Sequence, residues 1–321
     1  MIPKALLISY REELSRSEGT VFSALKRVVV GMRILLFPRA IADFKAMKLM
    51  EKLKHPTRDH DPLYFILYRH YISKKFTINQ RIQIAINHHK YESLFFDCEY
   101  VRKIYGSDGI VLWEQYFDDI RFNIVLIATT DNRNEGELSV VLSVNNVQLS
   151  LMSFCYVNAN IFGLMPRMTL VISRNQTSLT SSRELFDQCF KQNTPQLFCL
   201  SAICGIAMTN EFGTIFGIRH DAQIIYKKSL DSGFRNSYTA LWEKFEGVEI
   251  DQQAVMLSVP LSLRPVGQVS TGHRRRALAR RWYWDQIVQS TCSSLARYRA
   301  PSSSNTTSEK SSGEGRLSAP A

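Results

Sequence analysis

At 321 residues, with 45% hydrophobic and 11% aromatic content, the chain belongs to a globular protein able to bury one large core or two ordinary ones, not to a disordered one. Its net charge of +11 is unevenly placed: +7 falls from Arg264 onward and only +4 over the residues before it. The six cysteines lie mostly in apolar runs without CxxC spacing, which speaks for reduced thiols rather than a disulfide framework.

The N-terminus, MIPKALLISYREELS, lacks the long apolar centre and cleavage site of a signal peptide. No run reaches the ~18–20 apolar residues needed to span a bilayer. A cytoplasmic chain is expected, with a peripheral contact at the inner membrane left open.

Residues 1–60 read as a basic helical region, with Val21, Phe22, Leu25, Val28, Val29 and Met32 at helical spacing among Lys26, Arg27 and Arg33. It could lie on an anionic membrane, although a surface helix packed on the domain is the simpler reading. A single α+β domain is expected over 61–300, and a low-complexity, disordered tail over 301–321. Two short helices are expected within 61–100. Thr77 and Gln80 match a capping box, in which the Thr hydroxyl and the Gln side chain satisfy free backbone N–H groups reciprocally. The adjacent His88 and His89 should not share one helical face, so no metal site is expected from them.

From residue 110 the apolar period becomes two. Phe122–Thr130 is a buried strand, and the strands flanking Asn145-Asn146 form a hairpin on a type I′ turn, since Asn tolerates positive φ. Met168–Ser173 extends this antiparallel meander. Two helices should cover one face. The first opens with a capping box at Ser181–Glu184. The second opens at Thr194-Pro195 and carries a narrow stripe of Leu197, Leu200, Ser201, Cys204, Ala207 and Met208. A strand over TIFGI, a short aromatic helix from Tyr238, a strand over Met256–Leu263 and a basic helix over His273–Trp284 complete the domain.

Seven fragments then align with one family in order and spacing. They are His70–Tyr91, Asn134–Val140, Leu151–Val157, the Ile161–Ile172 hairpin, FGIRHDAQIIY at Phe216–Tyr226, YTALWEKFEG at Tyr238–Gly247, and LSVPL followed by HRRRALARR. Over roughly residues 60–295 they resemble the VirK/YbjX family of Gram-negative bacteria. The resemblance implies a virulence accessory. Such a protein would support expression, with post-transcriptional control one route, or display of a surface virulence factor, and envelope resistance to host antimicrobial peptides. Lys191–Gln196 and Met165-Pro166-Arg167 depart from the family's pattern.

Four residues are candidates for catalysis. Glu135 and Glu137 flank Gly136 at the mouth of a strand, where paired carboxylates could act as acid and base, although a solvated turn is the simpler reading. Arg219 and His220 follow a short buried strand, where His could titrate and Arg could hold an anion. No nucleophile elbow, dinucleotide fingerprint, phosphate loop or HExxH motif is present, so neither a cofactor nor a metal is expected. The order of elements is similar to N-acyltransferase architecture, but the glycine-rich loop that such folds use for coenzyme A pyrophosphate has no counterpart at Arg174–Ser182. Arg274, Arg275, Arg276, Arg280 and Arg281, followed by three aromatics, could contact RNA or an anionic membrane. The resemblance implies a non-enzymatic accessory. An acyltransferase-like enzyme acting on an envelope precursor is the alternative.

Overall fold

The computed structural model describes residues 70–301, apart from 107, 130–132 and 179–180, together with scattered positions between 28 and 43 and the pair Ile66–Leu67. The expected basic region 1–60 and the tail after 301 lie almost wholly outside the described residues.

Helices α1 (Ile78–Phe95) and α2 (Cys98–Tyr105) lead into a meander. It comprises β1 (Ile110–Phe117), β2 (Ile120–Ala128), β3 (Leu138–Val144), β4 (Val147–Asn158) and β5 (Met168–Thr177). Helices α3 (Ser181–Cys189) and α4 (Pro195–Thr209) follow, then β6 (Thr214–Ile218). Short helices α5 (Asp231–Phe234) and α6 (Ala240–Glu243) flank a π-helical turn at Arg235–Thr239. Strands β7 (Val248–Ile250) and β8 (Ala254–Ser258) and the long helix α7 (Thr271–Ala296) end the domain. The sheet has eight strands in the order β1-β2-β3-β4-β5-β6-β8-β7, antiparallel throughout except for β5–β6. This is the expected α+β class.

Local chemistry sets several element boundaries. The capping box forms: the Thr77 hydroxyl accepts the Gln80 backbone N–H at 3.3 Å and the Gln80 side-chain Oε1 accepts the Thr77 backbone N–H at 2.9 Å. Asp97 caps α2 by accepting the Tyr100 N–H at 2.8 Å. Asn145 and Asn146 take φ of 48° and 65°, the double left-handed geometry of the expected turn.

Helix α4 departs from expectation. Instead of one stripe, twelve of its fifteen residues are buried, because the sheet lies on one side and α7 on the other. The Thr194 side chain makes no cap bond, so burial holds this helix. Fully burying one Leu or Phe contributes about 1.5–3 kcal/mol, against about 1 for a good cap. Gly205 lets α7 approach: a Cβ there would lie 2.6 Å from Cβ of Thr291. Helix α7 itself extends well beyond the basic stretch because Trp284, Ile287 and Leu295 continue its buried face.

Both sheet faces are covered, not one. Phe154, Tyr156, Leu170 and Ile172 pack with α2, α4 and α7 in the larger core. Cys155, Val157, Val171 and Phe216 pack with Tyr71, Phe76 and Ile84 in the second. Strand β8 ends at Ser258, before Pro260, and is shorter than the sequence suggests.

Candidate functional site

The parallel contact between β5 and β6 is only two pairs long, Val171↔Phe216 and Ile172↔Gly217. Strand β5 runs on to Thr177, whereas the chain leaves β6 after Ile218, so β5 loses its neighbour from Ser173 onward. The π-turn segment fills that place. The Asn175 N–H donates to the Tyr238 hydroxyl at 3.0 Å, and its Nδ2 donates to the Ser237 carbonyl at 2.9 Å. Trp242 lies against Gly217, where a Cβ would come within 2.4 Å of the indole, and donates to the Ile218 carbonyl at 3.4 Å. The Asn175 side-chain oxygen is buried and has no hydrogen-bond partner among the described residues.

Glu135 reaches the same region from the 3-10 turn Arg133–Glu135. The solvated turn favoured from sequence is wrong here, since both Glu135 and Glu137 are only 3% exposed. Gly136, at φ 148°, presses onto β4, where a Cβ would sit 2.9 Å from the Phe154 nitrogen. The Ser173 hydroxyl donates to the Glu135 carbonyl. Arg174 Nε stands 3.4 Å from the Glu135 carboxylate. Burial raises the Glu135 pKa, and Arg174 opposes that rise only in part. Burial also raises the Tyr238 pKa; the Asn175 N–H opposes the rise, Glu135 adds to it and Arg174 opposes it. A carboxyl group moved toward neutrality and a phenol held protonated therefore share one electrostatic environment.

The two glutamates do not form the pair expected from their i, i+2 spacing. They precede β3 rather than lying in it, and Gly136 separates their directions. Glu137 instead accepts the Tyr71 hydroxyl at 2.8 Å, beside Cys155, whose thiol burial pushes well above its usual range. Arg219 turns to Glu249 at 2.7 Å and Asp221 at 3.2 Å. His220 Nδ1 lies 2.7 Å from the Thr239 hydroxyl, and its Nε2 lies 3.6 Å from Asp231. Tyr226 and Arg235 each donate to Asp231 at 2.7 Å. His220 thus braces the π-turn one residue after Tyr238. Tyr238, Asn175 and Arg174 were not singled out from sequence. Tyr238 lies twenty residues beyond the end of β6, and Arg174 and Asn175 lie within β5, so no local pattern joins them.

A second polar cluster lies at the edge of β4. Strand β3 pairs with β4 only as far as Phe154, and the freed Tyr156 N–H donates to His88 Nδ1 at 3.2 Å. Buried Glu92 accepts the Tyr100 hydroxyl at 3.0 Å and also that of Tyr105. His88 Nε2 and His89 Nδ1 lie 3.1 and 3.8 Å from the same carboxylate, so the two histidines do converge, contrary to the spacing argument. They manage this because Glu92 sits one turn on, at i+4 and i+3. His88, His89 and Glu92 offer donor atoms within 4.8 Å of one another. However, the backbone N–H at His88 Nδ1 places the ring proton on Nε2, the atom a metal would need. The chemistry is that of a buried hydrogen-bond network.

A cavity of about 360 Å³ opens elsewhere, lined by Lys103, Asp108, Ser294, Arg297 and Tyr298 among others, and none of the four catalytic candidates borders it. The basic residues of α7 are partly engaged: Arg274 donates to the Val269 and Gly267 carbonyls at 2.9 Å each, and Arg281 donates to that of Arg264.

The fold and site define a mixed α+β protein built on a mostly antiparallel open sheet with one short parallel step. The chain belongs to the family described as protein of unknown function (DUF535), which it matches over residues 21–292; the VirK/YbjX proteins are in this family. Neither a curated protein nor a solved structure matches the chain. Among the described residues, no helix is long and apolar enough to cross a membrane.

Proposed function

We propose that this chain is an acyltransferase-like enzyme acting on a precursor of the bacterial envelope. One observation carries the reading: β5 and β6 part after two residue pairs, and the Tyr238 hydroxyl takes the freed Asn175 N–H. An acceptor amine or hydroxyl attacks the carbonyl carbon of an acyl thioester, giving up its proton to Glu135. The tetrahedral intermediate then breaks its carbon–sulfur bond, and Tyr238 gives its proton to the departing thiolate. The only hydrogen bond the Tyr238 hydroxyl donates within the described residues is a long one, 3.4 Å to the Asn175 carbonyl, which leaves that proton available. The unpaired Asn175 oxygen suits an amide N–H of the donor. His220 positions the π-turn, and Arg174 orients Glu135.

The glycine-free segment Arg174–Ser182 offers no pyrophosphate loop, so carrier-protein thioesters belong beside coenzyme A thioesters as donors. The fragments resemble VirK in particular. A reaction of this kind would give chemical form to an accessory role in surface display and in resistance to host peptides.

The test incubates the purified full chain with acyl-coenzyme A or an acyl carrier protein thioester and an envelope extract, and follows thiol release. Wild type should release thiol in an extract-dependent way. Tyr238→Phe should lower the rate by on the order of 10²–10⁴-fold, the usual worth of a general acid. No release above background with either donor refutes the reading and leaves the non-enzymatic accessory in its place.

A further inference from the structure

We infer that the outward face of α7 docks the protein on an anionic lipid surface. Within one stretch of α7, Arg275, Leu278, Ala279 and Trp282 recur at i, i+3, i+4 and i+7, which puts them on one side of the helix. Leu278 is 55% exposed and Trp282 53%, high values for large apolar side chains on a helix whose Ala277, Trp284 and Ile287 are buried in the core. Arg274, Arg275 and Arg276 are exposed beside them, and Arg264 extends the patch from the preceding loop. Arg274 and Arg281 bond backbone carbonyls of the loop 264–269, which fixes loop and helix as one basic surface.

Charge complementarity and side-chain chemistry choose the partner. Arginines near an anionic surface each contribute about 1 kcal/mol, and tryptophan settles at the headgroup level of a bilayer. An exposed tryptophan could equally stack on a nucleobase, but leucine has no such use. Burying Leu278 and Trp282 together is favourable only in an apolar medium. Because the opposite face of α7 is built into the core, the helix can lie on the membrane but not cross it. The docking does not depend on the acyl-transfer reading.

The full chain should co-sediment with vesicles of phosphatidylglycerol and phosphatidylcholine, but not with phosphatidylcholine alone, and high salt should release it. Arg274→Ala/Arg275→Ala/Arg276→Ala should weaken binding roughly hundredfold, as three basic residues imply, whereas the corresponding lysine substitutions should largely keep it. Leu278→Ser/Trp282→Ser should also weaken binding while leaving the circular dichroism spectrum unchanged. Equal binding to neutral vesicles, no binding to anionic ones, or binding indifferent to these substitutions overturns the inference. So does capture of single-stranded RNA through Trp282 without vesicle binding.

Discussion

Glu135 shows how one side chain can carry both a cost and a use. Its backbone is held by Gly136 pressed onto β4 and by the Ser173 hydroxyl, and the side chain is buried. Burial raises its pKa, and the charged form therefore destabilises the fold at neutral pH. Glu135→Gln keeps the shape without the charge. Its denaturation midpoint near neutral pH should exceed that of wild type, while thiol release falls by on the order of 10²-fold or more. A lower midpoint together with full activity would remove Glu135 from the mechanism. Functional residues that reduce stability are a general pattern, and this pair of readouts detects one. The sequence could not have shown it. EGE reads as a polar turn until tertiary packing covers it.

At the scale of elements, the decisive contact is α4 against α7. The sequence gives α4 its start at Thr194-Pro195 and its apolar content, but not the second partner that buries its outer side. Gly205 marks that contact. Alanine is ordinarily the better helix residue by about 0.8–1.0 kcal/mol. Here, however, a Cβ would meet Thr291 Cβ at 2.6 Å and the Val288 carbonyl at 2.9 Å, atoms fixed by the α7 backbone. Overpacking of this kind costs about 1–3 kcal/mol and should win. Gly205→Ala should therefore lower the urea midpoint without changing the m-value. A rise in the midpoint would show that α7 can retreat from α4. The same logic governs β5 and β6, where Gly217 admits Trp242 of α6 and so lets the preceding π-turn bring Tyr238 to Asn175.

Across the whole molecule, His70, His88 and His220 share one sign: burial is the first cause that lowers each pKa. The folded state disfavours the charged form of these rings, while the unfolded chain takes up protons near the ordinary value. Their stabilisation is thus complete above about pH 6.5 and is lost as pH falls through that value toward the depressed folded pKa values. Glu135 acts in the opposite sense, gaining as it becomes protonated. Comparing His88→Asn with wild type isolates the histidine, because the Asn side-chain oxygen can still accept the Tyr156 N–H. Urea unfolding between about pH 7.5 and about pH 5.5 should show a smaller loss for His88→Asn. An unchanged slope would mean that folding does not move the His88 pKa, and a larger loss for His88→Asn that the fold raises it.

By itself the sequence determined the class of fold, the Thr77 capping box, the Asn145-Asn146 hairpin and the position of TIFGI. These depend on local backbone preferences and on apolar period, which neighbours within a few residues fix. Seven fragments in order also carried the family. Only the tertiary structure decided that β5 and β6 part after two pairs, that Tyr238 lies on the freed edge, that Glu135 and Glu137 face different partners, and that His88 and His89 meet at Glu92. Each of these joins residues far apart in the chain. Such contacts are set by how strand ends, helices and buried charges share limited space, and no local pattern records that competition.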